Sequence, residues 1–285
     1  MSTYLFKARS NTHSFLQTTF APCNFFMRHP FFHFLLTYRI WIALAATGLV
    51  LETNVFLQCS HSLFFYGFIF SSTWFAYLFY YTQRITQFHE YILLLISTAT
   101  SLLCGIFIIP EIQWTMLVFI SSLSLIYLLP VANKLGLIKV KLKLSHTTKL
   151  FLLIAVWWST TVLLPLGHLP STSFEIQWSL YRGLMLCILC LLFYLRDEEN
   201  VNLQRRGKVA TYLLLGIQLI TSFYYFVQTS QPFWLVELGL HVLLSFMTFF
   251  FITRNYSLFH YLYWIDGFMI LHACATLAVY LQTHP

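Results

Sequence analysis

The run Arg196-Asp197-Glu198-Glu199, followed soon by Arg205, Arg206 and Lys208, closes an apolar stretch in a chain where charge is otherwise scarce. Carboxylates beside guanidiniums can do two things. They can hold Mg²⁺, which takes oxygen ligands and shares them with substrate phosphates, while the cations stabilise a departing diphosphate. They can equally form a solvated loop whose ion pairs contribute little. A second polar stripe, Thr73, Tyr77, Tyr81 and Arg84, recurs at helical spacing just before the connection TQRITQFHE, residues 82–90. Beside a diphosphate its tyrosines would wall a greasy, cationic prenyl group by cation–π attraction. The alternative is an interfacial aromatic belt with Arg84 reaching to water.

Three further groups carry ionisable chemistry. Asp266, in YWIDGFMI, lies about five residues inside an apolar run, where an acid is either functional or a packing acid paired with Arg254 or a tyrosine. Glu237 and His241 stand one helical turn apart, a spacing that suits proton handling but is more simply local pairing. His29 and His33 form one HxxxH box, disturbed by Pro30; membrane di-iron oxidases need several boxes, so a histidine-metal enzyme is not expected, the other histidines reading as isolated. The six cysteines are scattered without disulfide or zinc spacing, and the CxxC at Cys187 and Cys190 falls inside an apolar run, where packing accounts for it.

The elements that must position these groups are membrane helices. The 285 residues are 59% hydrophobic and 9% charged, against roughly 25% charged in soluble chains, and the mean hydropathy is +0.72. Spans of about 20 apolar residues are predicted at 35–55, 62–82, 91–109, 112–130, 148–166, 177–196, 209–227, 232–253 and 259–281. The third and fourth are separated only by Pro110 and Glu111, which predicts a tight hairpin. Strict alternation is lacking, so the fold class is all-α: a polytopic bundle of nine transmembrane helices. Residues 1–34 form a cytoplasmic or interfacial N-terminal segment, and 35–281 a single domain. The opening residues lack the apolar core and small-residue cleavage site of a signal peptide; 15–34, aromatic and flanked by basic residues, would lie in the interface.

With the N-terminus in the cytoplasm, every Lys and Arg except Arg182 falls on the inner side. The positive-inside rule supports that orientation and an odd number of spans, with the C-terminus outside. It also explains the net charge of +7 without nucleic acid as a partner. The connections after spans 2, 4, 6 and 8 then share the cytoplasmic face, where a site could be assembled.

Several stretches resemble the UbiA superfamily of intramembrane prenyltransferases, in a bacterial UbiA-like branch. FFHFLLTYRIWIALAATGLVLETNVFL (31–57) is similar to the first span of that branch and TTKLFLLIAVWWSTTVLLPL (147–166) to its fifth. STWFAYLFYYTQRI (72–85) resembles its first motif region, YLRDEEN (194–200) its Asp-Ile-Arg-Asp stretch, and HYLYWIDGFMILHA (260–273) its last span. The resemblance implies transfer of a prenyl group from a polyprenyl diphosphate to an acceptor at the cytoplasmic face, by a transferase of alkyl groups in a bacterial inner membrane. It implies Mg²⁺ as cofactor, with Asp197 as catalytic and metal residue and Glu198 as a weak further ligand. Tyr77, Tyr81, Gln83, Arg84, Tyr194, Arg196 and Asp266 would contact substrate. The motif's carboxylate and amide positions fall at Tyr81, Gln83, Tyr194 and Val201. The alternative is therefore a non-catalytic lipid-binding protein or membrane-complex subunit of the same fold.

Overall fold

The structure is a computed structural model that describes residues 30–81, 88–110, 112–134, 144–198, 200–229, 232–253 and 258–283. Among these, all regular elements are helices, and eight are long and apolar enough to cross a membrane. In chain order the helices are α1 (Pro30–Thr37), α2 (Ile40–Phe56), α3 (Leu63–Tyr81), α4 (Phe88–Ile108), α5 (Trp114–Lys134) and α6 (His146–Trp158). Then follow α7 (Ser173–Asp197), α8 (Val201–Thr229), α9 (Pro232–Thr253) and α10 (Leu258–Tyr261), the last running on through a π turn, Leu262–Asp266, into Gly267–Thr283. α6 likewise continues through a π turn, Ser159–Leu163, to Leu166, where Pro165 and the left-handed Gly167 (φ +71°) end it.

The predicted first span is broken. Arg39 takes a left-handed backbone, φ 60° and ψ 16°, and separates α1 from α2. A non-glycine residue in that region is disfavoured, so α2 is left as a 17-residue apolar helix, shorter than the eight. Elsewhere the helices begin on local signals. Ser145 accepts from the Thr148 N–H to cap α6. Thr172 and Glu175 form a capping box that starts α7 four residues before its predicted span.

Adjacent packing runs α2, α3, α5, α6, α7, α8, α9, α10 and back to α2, and α4 lies against α3. The predicted hairpin of the third and fourth spans is corrected here: α4 packs on α3 and α5 on α6, rather than on one another. The ring is closed tightly at α2, whose buried face includes the small residues Ala43, Ala45 and Ala46. A Cβ added to Gly48 would lie 3.2 Å from the Ala273 Cβ of α10. Small residues let helices approach this closely in lipid, where no hydrophobic drive joins them. Contact between α3 and α5 is sparse by comparison, and a cavity occupies that gap.

Candidate functional site

The gap between α3, α5 and α6 holds a cavity of about 340 Å³, lined by Phe68, Ala76, Leu117, Ile120, Val156 and Trp157 among other mainly apolar side chains. Ser121 and Leu125 of α5, both exposed, stand at its rim, so it opens sideways to the lipid. A second cavity of about 160 Å³ continues it toward the end of the bundle where α2, α6 and α10 begin and α3 and α7 end. Its lining changes character: Tyr80, Tyr81, Tyr127, Tyr194, Lys149 and Arg196. A small third cavity reaches Asp266. Tyr77 and Leu153 line all three.

The arrangement is thus an apolar chamber with a cationic, tyrosine-rich mouth. Arg39 adds to the mouth from the side: its guanidinium stacks over the Tyr81 ring at 4.0 Å. The strained backbone at Arg39 sets where that guanidinium starts. Arg196 lies over the rings of Phe193 and Tyr261 at 5.7 and 5.5 Å.

Of the residues expected to contact substrate, Tyr77, Tyr81, Tyr194 and Arg196 come together at this mouth. Gln83 and Arg84 lie outside the described residues, as do His29 and Arg254. Asp197 ends α7, and Glu198 begins the turn to α8. The Glu198 carboxylate accepts from the Asn200 N–H at 2.9 Å, and Asn200 Oδ1 in turn accepts from the N–H groups of Asn202 and Leu203. Bonds from Tyr194 and from the Asn200 N–H hold the Glu198 carboxyl below the usual range. Glu198 and Asn200 therefore shape the start of α8. None of the described side chains that line the mouth is a carboxylate, and the side chain of Asp197 lies outside those described.

Asp266 is buried, as an acid in this position must be unless it faces water. It sits in the π turn of α10, a distortion that often marks functional positions. Its Oδ1 has no hydrogen-bond partner among the described residues, and Arg39 is the cation whose field reaches it.

Toward the opposite end of the helices lies a second polar assembly. Arg182 Nη2 of α7 meets Glu52 Oε2 of α2 at 2.8 Å, with both side chains at most 1% exposed. His272 of α10 stands between two carboxylates, Nδ1 at 3.3 Å from Glu52 and Nε2 at 3.0 Å from Glu237 of α9. The Tyr181 hydroxyl donates to Glu237 Oε2 at 2.8 Å and lies 3.0 Å from His241 Nδ1. Ser222 and Gln218 of α8 complete the shell, at 2.9 Å from Tyr181 and 3.0 Å from His241. Five helices contribute. The expectation that these histidines are isolated is corrected: the rings of His241 and His272 are 5.9 Å apart. Glu52, Arg182 and His272 were legible only as polar residues inside spans, because what joins them is separated by up to 220 positions in the chain.

The fold and its polar interior define an all-helical polytopic membrane protein with a cavity at one end and a charged core at the other. Comparison with protein-family models, with curated proteins and with solved structures returned no match.

Proposed function

We propose that this chain is a UbiA-like protein of a bacterial inner membrane that binds a polyprenyl diphosphate at its cytoplasmic face, with α2 as a ninth pass. The observation that carries the reading is the continuity of an apolar chamber with a mouth of Arg196, Lys149 and half-buried tyrosines. A prenyl tail would enter from the lipid side and its diphosphate would rest among the cations. Arg grips phosphate oxygens in a planar fork without needing a metal. Tyrosine faces would shield positive charge developing on the prenyl carbon.

Transfer of that prenyl group to an acceptor is the activity the resemblance implies. The lack of carboxylates among the described residues of the mouth favours a second reading, in which the chain holds the lipid without metal-dependent transfer, alone or as a subunit of a membrane complex.

Calorimetry of the purified protein with geranylgeranyl diphosphate tests both. Binding should persist when Mg²⁺ is chelated. It should weaken tenfold or more in Arg196→Ala and in Lys149→Ala, since a charged hydrogen bond contributes about 1.5–3 kcal/mol. Turnover that collapses on chelation and is abolished by Asp197→Ala would restore a conventional metal-dependent prenyltransferase. Absence of any diphosphate binding would remove the reading altogether.

A further inference from the structure

We propose that Glu237, His241 and His272 hold one divalent transition-metal ion, with the Tyr181 oxygen as fourth ligand. The site is separate from the diphosphate mouth: along α2, Glu52 follows Arg39 by roughly 20 Å of helix.

Geometry carries the proposal. One ligand atom from each of the three residues lies within 4.8 Å of the others. Glu237 Oε2 is 3.0 Å from His272 Nε2 and 3.7 Å from His241 Nδ1, and the Tyr181 hydroxyl is 2.8 Å from that carboxylate and 3.0 Å from that imidazole. A tetrahedral ion with bonds of about 2.0–2.2 Å spaces its ligands by roughly 3.3–3.6 Å. These four spacings bracket this value. Imidazole with carboxylate selects zinc, copper, iron or nickel over magnesium.

The surroundings fit as well. A metal-bound imidazole gives its other N–H to a carboxylate that fixes the ring, and Glu52 stands at His272 Nδ1 for that purpose. His241 Nδ1 now meets the Glu237 carbonyl at 2.6 Å and must turn to the metal. The N–H then required at Nε2 has an acceptor in reach, because Gln218 Oε1 is buried without a hydrogen-bond partner among the described residues and reversing the amide presents it, at the loss of the bond its N–H now gives the Tyr181 carbonyl at 3.3 Å. Glu237 Oε1 is also buried and without such a partner, which is costly for a carboxylate in a dry core and is relieved by a cation.

Charge closes the argument. Glu52 and Glu237 face one guanidinium, Arg182, leaving one negative charge for a proton on His272 or for a metal to balance. A divalent ion that displaces that proton and the Tyr181 phenolic proton leaves the core with the same net charge. Metal uptake is therefore an exchange of one ion for two protons.

The test is a Co²⁺ titration of the full chain in detergent micelles after chelation and dialysis. One Co²⁺ per chain should bind with the visible bands of a tetrahedral site, be displaced by Zn²⁺ and ignore Mg²⁺. His241→Ala and His272→Ala should each lose the bands and at least tenfold in affinity, while His168→Ala, an exposed loop histidine, should keep both. If those variants fail to fold, the Zn²⁺ absorption edge of the unmodified chain still decides: two imidazoles in a nitrogen and oxygen shell support the site. An all-oxygen shell, no stoichiometric binding, or binding that survives the loss of both histidines would overturn it and leave a proton-balanced ion network.

Discussion

The indole N–H of Trp157 donates to the hydroxyl of Tyr77 across 2.9 Å, joining α6 to α3 beside the point where the three cavities meet. Trp157 is 7% exposed, so its N–H has little access to water. Tyr77→Phe should leave that donor unsatisfied and cost about 1–3 kcal/mol. Adding Trp157→Phe removes the donor too, and the double variant should melt above the sum of the two single losses. Melting of monodisperse protein in micelles measures this; strictly additive losses would show that the bond contributes nothing specific.

The Arg182–Glu52 pair is a stronger case of the same logic. Removing one member of a buried ion pair leaves a bare charge and costs about 3–5 kcal/mol, whereas replacing both with apolar groups can be nearly neutral. Arg182→Met should therefore abolish accumulation of folded protein, and Arg182→Met with Glu52→Leu should recover much of it. Equal loss in both would mean that the charge on Glu52 is compensated elsewhere, by His272.

Asp266 discriminates between an interior and a lipid-facing position. Asp266→Asn keeps the shape and should insert and fold like the unmodified chain. Asp266→Lys would place a second cation in the field of Arg39 within a cavity lined by Ile42, Trp157 and Met269, and should not accumulate. A lipid-facing lysine so near the end of the helix would reach the interface instead and be tolerated. Yield of monodisperse protein for the two variants separates the cases.

Much of the architecture was legible because hydrophobic length is a direct physical requirement of the bilayer. Eight of the predicted spans correspond to helices of sufficient length. The break at Arg39 was not legible, since nothing in Thr37-Tyr38-Arg39 is a glycine or a proline; tertiary contact with the Tyr81 ring accompanies a backbone state that local preference opposes. The capping box extending α7 was in the letters Thr172-Ser173-Phe174-Glu175 but lay outside the apolar window used to find the span. At the mouth, Tyr77, Tyr81, Tyr194 and Arg196 were found by helical spacing and by resemblance. Lys149 and Arg39 were passed over as loop charges that only set the topology. Of the charged core only the Glu237 and His241 pair was legible, because Glu52, Arg182, Glu237 and His272 each lie on a different helix and no local pattern connects them.

Topology provides the last prediction and decides the standing of α2. Between Lys143 and Pro285 lie five helices long and apolar enough to cross a membrane, α6 to α10, so reporters fused after Lys143 and at Pro285 should lie on opposite sides, the first cytoplasmic. That result does not depend on α2. At 17 residues α2 spans roughly 25 Å, short of a hydrocarbon core of about 30 Å. Yet the placement of its two ends favours the crossing proposed above. Its start, near Ile42, shares the mouth with the end of α3 at Tyr81, while its far half carries Glu52 into the core with Arg182 and His272. A short span is accommodated by local thinning of the bilayer and by flanking side chains that reach the interface. Tags at the N-terminus and after Ser60 should therefore report opposite sides. If both report the same side, α2 is a re-entrant helix held within the bundle, and the count of passes falls from nine to eight.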